Sequence, residues 1–196
     1  MIHKPSAIAA AFLLLISCGG DGPTAIDGAT SGSLSFNYTG AGNGFYSATG
    51  AITAAARSGN PYTTTWAAGF EDPSDSSTNI GANIPKSSTT SDLVVIHLAP
   101  QSTGTFQIGS SCMASNCVYN DVTLSTGQSG NDLTVTYLCS LDSGAVTISA
   151  LSSTNATGTF SGSGTCLTAS FAVSPWVVTN GTFNVPLVTN GAGNIP

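Results

Sequence analysis

The chain has 196 residues and a formal charge of −6, and only 6% of its residues are charged, against about 25% in an average soluble domain. Three basic residues, Lys4, Arg57 and Lys86, make no patch able to neutralise a phosphate backbone. That argues against nucleic acid as a partner and against electrostatic attachment to anionic head groups. Ser, Thr, Asn and Gly supply the polar surface instead, residues that favour strands and turns and support helices poorly.

At the N-terminus, Lys4 precedes Ala7–Ile16, ten residues without a polar side chain. Ten residues fall short of the roughly 20 that a membrane-spanning helix needs. They fit the apolar core of a secretory signal peptide with Lys4 as its positive flank, so residues 1–17 are expected to be removed. The succession Leu15-Ile16-Ser17-Cys18-Gly19 resembles the lipobox of bacterial lipoproteins. The resemblance implies that the Cys18 thiol is diacylated, that the chain is cut before it, and that the new N-terminus is acylated. Two or more acyl chains anchor stably where one anchors only marginally. The expected partner of Cys18 is therefore the lipid bilayer, and the expected location is the bacterial cell envelope. Gly19 and Gly20, rather than an aspartate, follow Cys18, which by the enterobacterial sorting pattern points to the outer membrane. Removing residues 1–17 leaves Arg57 and Lys86 against nine acidic residues, a formal charge of −7.

Residues 18–32 lack periodicity and read as a flexible tether. From Ser33 the pattern is alternation: Leu34, Phe36 and Tyr38 share one face, then Trp66, Ala68 and Phe70, then Val118, Val122 and Leu124. Residues 93–99 are apolar on both faces, as a central strand would be. Leu133, Val135, Tyr137 and Cys139 share a face, which aims Cys139 inward, and Val146, Ile148 and Ala150 repeat the pattern. Turn signals stand at Gly40–Gly44, Ser58–Pro61, Gly127–Asn131, Asp142-Ser143-Gly144 and Asn180-Gly181. Segments 71–83 and 86–91 read as loops. About ten short strands over residues 33–190, with a tail at 191–196, predict an all-β fold. The expected form is an antiparallel β-sandwich, with a β-barrel as the alternative.

Four cysteines remain after Cys18, and an even number in an exported chain reads as two disulfides. Three pairings are open; proximity favours Cys112–Cys117 and Cys139–Cys166. Zinc fits poorly, because a C-x4-C pair with a distant second pair and no nearby histidine is not its usual ligand set. "YLCSLDSGAVTISALSSTNATGTFSGSGTC" followed by "VTNGTFNVPL" resembles the C-terminal half of bacterial envelope lipoproteins to which no activity is assigned. Ser143–Ile148, Thr157–Phe160 and Asn180–Phe183 carry that resemblance, which implies an antiparallel β-sandwich and supplies no catalytic residues.

Candidate sites are few. His97, the only histidine after His3, has no G-x-S-x-G elbow to single out a serine partner and reads as structural. Glu71, Asp72 and Asp75 offer hard oxygens for Ca²⁺, or simply a solvated acidic loop. Tyr62, Tyr119 and Trp176 form a possible ligand face, with Trp176, after Pro175, expected at a strand edge; Trp66 alternates with Phe70 and reads as core. No catalytic residue and no cofactor stand out. The functional expectation is a binding or structural β-domain at the envelope; the alternative is a carbohydrate-binding or carbohydrate-active envelope protein.

Overall fold

The computed structural model describes residues 30–53, 64–72, 77–98, 102–109, 121–128 and 136–189. They form ten strands: β1 Gly32–Gly40, β2 Gly44–Gly50, β3 Trp66–Asp72, β4 Ser77–Pro85, β5 Ser91–Leu98, β6 Gly104–Ile108, β7 Asp121–Gln128, β8 Tyr137–Leu151, β9 Asn155–Thr168 and β10 Val173–Thr189. All described regular structure is β, and the fold is sandwich-like and disulfide-braced. Cys18, Cys112, Cys117, Tyr62, Asp75 and Tyr119 lie outside the described residues.

Two layers share two long strands, β8 and β10. The front sheet runs β6-β8-β9-β10-β1-β2, every neighbour antiparallel. The back layer runs β3-β4-β5-β7. β8 pairs with β7 through residues 137–140 and with β6 through 144–148, so one strand serves both layers. β10 likewise leaves β1 after Asn184 and meets β3 at Leu187, in the sole parallel pairing among the described strands. Pro186 stands between the end of the β1 ladder and the start of the β3 ladder, opposite Asn155 of β9. The circuit β10-β3-β4-β5-β7-β8-β9-β10 therefore returns on itself, while β2 and β6 end the front sheet. Strands that bend from one layer into the other are a known way to make sandwich corners.

The bends coincide with two of the sequence's turn signals. Asn180 (φ 54°) and Gly181 form a bulge inside β10, where three steps oppose two on both β1 and β9. Inward positions consequently change from Trp176 and Val178 to Phe183, Val185 and Leu187, and one strand keeps the same face buried across a change of parity. In β8 the bulge between Leu141 and Ser143 does the same for Cys139 and Leu141 against Val146 and Ile148. These signals mark bulges, not the strand ends expected of them. The loop expected over 71–83 is also corrected: residues 77–83 belong to β4, whose Ile80 and Ala82 are fully buried. Segment 86–90 is a turn, closed by Lys86 and Ser87 N–H groups donating to the Thr90 carbonyl.

The main core lies between the layers. Phe36 sits at its centre, stacked on Tyr46 at 5.1 Å and edge-on to Phe160 at 5.6 Å and Trp176 at 6.4 Å between ring centroids. A second, smaller cluster of Ile52, Trp66, Ala68 and Phe70 covers the other side of the back layer. β5 is an interior strand, as its sequence predicted: Val94, Ile96 and Leu98 face the main core, and Leu93 and Val95 pack against the second cluster.

Candidate functional site

Cys139 and Cys166 are register partners on β8 and β9 and form a disulfide, both side chains buried. The expected inward aim of Cys139 and this pairing are both found. The disulfide forms part of the wall of a cleft of about 70 Å³ at one end of the sandwich, with Tyr38, Leu124, Tyr137 and Trp176.

Trp176 requires a correction. Its side chain is 1% exposed and packs on Phe36, so it offers no platform to a sugar ring. Pro175 suggested an edge because it cannot donate to a ladder; here β1 has already turned at Gly40, and the Ala41 N–H donates to the Pro175 carbonyl. Trp66 is core, as expected, with no exposed surface. Of the acidic stretch, Glu71 and Asp72 end β3 opposite Thr78 and Ser77. Among the described residues no three His, Cys, Asp or Glu gather as metal ligands.

His97 is half-buried on β5, and its Nδ1–H donates to Asn79 Oδ1 at 2.7 Å across the strand pair. Asn79 thereby fixes the ring orientation, as the structural reading requires. A second polar centre was not visible in the sequence. Tyr46 donates its phenolic O–H to the Ala82 carbonyl at 2.7 Å and lies 3.3 Å from the Asp92 carbonyl. Asp92 in turn accepts from Gly127 N–H at 3.1 Å and pairs with Lys86 Nζ at 2.9 Å. This network joins β2 of the front sheet to β4, β5 and β7 of the back layer. Burial, reinforced by the Asp92 charge, pushes the Tyr46 phenol well above its ordinary range and keeps it a neutral donor.

The front sheet has a distinctive surface. Residues 28–56 and 143–196 contain no charged side chain. They supply β1, β2, β9, β10 and β8 from Ser143, and β6 is uncharged as well. The described charged residues belong to β3, the β4–β5 turn, β5, β7 and the β8 bulge at Asp142. Across the front face, hydroxyls pair strand to strand: Ser35–Thr182 at 3.2 Å, Thr105–Thr147 at 2.9 Å, Ser143–Ser163 at 3.0 Å and Ser149–Thr157 at 3.1 Å.

Toward one end of that face the hydroxyls give way to apolar side chains. Phe45, Val173 and Val177 are 63%, 64% and 39% exposed. Phe171, in the β9–β10 turn, is 84% exposed with φ at 60°. The turn closes through Phe171 N–H to the Thr168 carbonyl at 2.8 Å and Thr168 N–H to the Ala172 carbonyl at 3.1 Å. A hairpin turn of this form places its left-handed residue where glycine is usual. The chain matches no protein-family model, no curated protein and no solved structure.

Proposed function

We propose that the protein is a lipid-anchored bacterial envelope lipoprotein, held at the outer membrane through acylated Cys18, whose β-domain performs a binding or structural task. The observation that carries this reading is the apolar run Ala7–Ile16 followed by Leu15-Ile16-Ser17-Cys18-Gly19. The Cys139–Cys166 disulfide supports it, because such bonds form and persist in oxidising compartments outside the cytosol. So does the near absence of charge from the front sheet, a surface made of hydroxyls and amides rather than of ionic groups.

The test is metabolic labelling of producing cells with a clickable palmitate analogue, comparing the native chain with Cys18→Ser. The native chain is expected to carry the label and fractionate with outer membranes; the variant is expected to lose both. A native chain that stays unlabelled would overturn the reading. Protease shaving of intact cells then separates a surface-facing from a periplasmic domain.

A further inference from the structure

We propose that the front sheet lies face down on the bilayer that holds the anchor, with Phe45, Phe171, Val173 and Val177 entering the head-group region as a second point of attachment. This rests on the anchoring reading above and adds an orientation and a lipid-contact surface to it.

Three independent features converge. The first is the backbone of Phe171. A bulky side chain in the left-handed region is unfavourable, and strain of this kind persists where function requires it. Here it presents an aromatic ring to solvent, 84% exposed, instead of packing it. The second is position. Val173 and Val177 alternate with inward Trp176 and Val178 on β10, so they stand on the outer face of the front sheet. Phe45, next to inward Tyr46, stands on the same face, two strands away. These four are the large hydrophobic side chains most exposed among the described residues, and all lie toward the β9–β10 turn. The third is charge. A protein of formal charge −7 after processing is repelled by anionic lipid wherever its acidic residues face the membrane. The front sheet carries little of that repulsion: its residues from 28 to 56 and from 143 onward have no charge, and its one described carboxylate, Asp142, accepts from the Thr165 hydroxyl at 3.4 Å.

The tether decides between an upright and a lying domain. β1 begins at Gly32, next to Ser33, which is level with Thr157 near the start of β9, whereas Phe171 lies beyond the far end of β9. A 14-residue strand is about 45 Å long. A coil as long as the chain from Cys18 to Gly32 would span about 20 Å root-mean-square. Anchor and turn therefore touch one surface most readily when the sheet lies along it. The cross-strand hydroxyls between them then face head-group phosphate and carbonyl oxygens, to which they donate.

The experiment uses the full acylated chain on vesicles of phosphatidylethanolamine and phosphatidylglycerol. An environment-sensitive fluorophore is attached at a single added cysteine: Ala169→Cys in the β9–β10 turn, Ser161→Cys on the outer face of β9, or Ser88→Cys in the β4–β5 turn as the control. The expected result is a blue shift and quenching by brominated lipid at 169 and 161, with 88 remaining aqueous. Adding Phe171→Gly to the 169 probe should lower the bound-to-free ratio of the turn roughly ten-fold, as expected for the loss of one buried aromatic side chain. The same substitution should raise Tm, since glycine adopts φ 60° freely.

Aqueous emission at 169 and 161 would mean a domain standing clear of the membrane and would overturn the proposal. Equal shifts at all three positions would overturn the choice of face. A shift at 169 seen with native envelope membranes but not with pure lipid would assign the turn to a protein partner instead. A fall in Tm with Phe171→Gly would make the ring a packing residue and overturn its assignment to lipid. Acylation is scored separately by palmitate incorporation. If it is absent the anchor reading fails, while the spectra still report whether the face meets lipid.

Discussion

Gly144 and Phe171 share a positive φ and answer it in opposite ways. Gly144 has φ 135°, and a Cβ there would run into the Ser161 carbonyl. Gly144→Ala is expected to cost about 2 kcal/mol, from conformational strain and steric displacement together, measurable by urea denaturation. Phe171 carries a side chain in a region that disfavours L-residues by about 1–2 kcal/mol. Tyr46 is the other residue whose chemistry is set by its surroundings. Tyr46→Phe leaves the buried Ala82 carbonyl without its donor and should cost about 1–2 kcal/mol. Its phenol is also shifted upward on folding from the ordinary value of 10.0. Above pH 10 the unfolded chain releases this proton while the folded chain retains it, so folding stability falls as pH rises. The full contribution is present below pH 10, and the slope approaches about 1.4 kcal/mol per pH unit. Stability curves between pH 8 and 11.5 should show that decline in the native protein and a shallower one in Tyr46→Phe.

At the level of strands, the disulfide and the bulges do separate jobs. Cys139–Cys166 ties β8 to β9 next to the place where β8 passes from β7 to β6, across a sequence separation of 27. Its removal by Cys139→Ala with Cys166→Ala should lower stability by about 3.5 kcal/mol, read from denaturant midpoints. The inward aim of Cys139 was legible because strand alternation is a local property. So were the core roles of Leu34, Phe36, Trp66 and Val146. The bulges were not, because Asn-Gly and Asp-Ser-Gly supply the same left-handed or extended-glycine geometry to a turn and to a bulge. Which one forms depends on whether partner strands continue past that point, and here β9 continues past both. Trp176 was misplaced for the same reason: the extent of β1 beside Pro175 is a non-local fact. The Tyr46–Asp92–Lys86 network joins residues up to 46 positions apart and had no motif to announce it.

Over the whole molecule, the segregation of charge is written plainly in the sequence as two uncharged stretches, yet it acquires meaning only when the fold lays both in one sheet. A contact surface with no basic residue and one described carboxylate, Asp142, has a direct signature. The lipid contact at Ala169 should be unchanged between 0.05 and 0.5 M salt, whereas a basic surface patch would lose its hold over that range, as the screening length shrinks from about 14 to 4 Å. β10 meanwhile pairs with β1, β3 and β9, and so completes both the front sheet and the return of the back layer upon it. It is also the last of the ten strands to leave the ribosome. Until it arrives, β1 and β3 have no partner on the side that β10 will occupy, and β8 is the only described strand paired into both layers. Productive folding thus waits for β10, and a nascent chain stopped before Val173 should be digested by protease concentrations that the ten-stranded domain survives. If the chain is exported as proposed above, it stays unfolded while it is threaded through a membrane and becomes resistant once β10 is through.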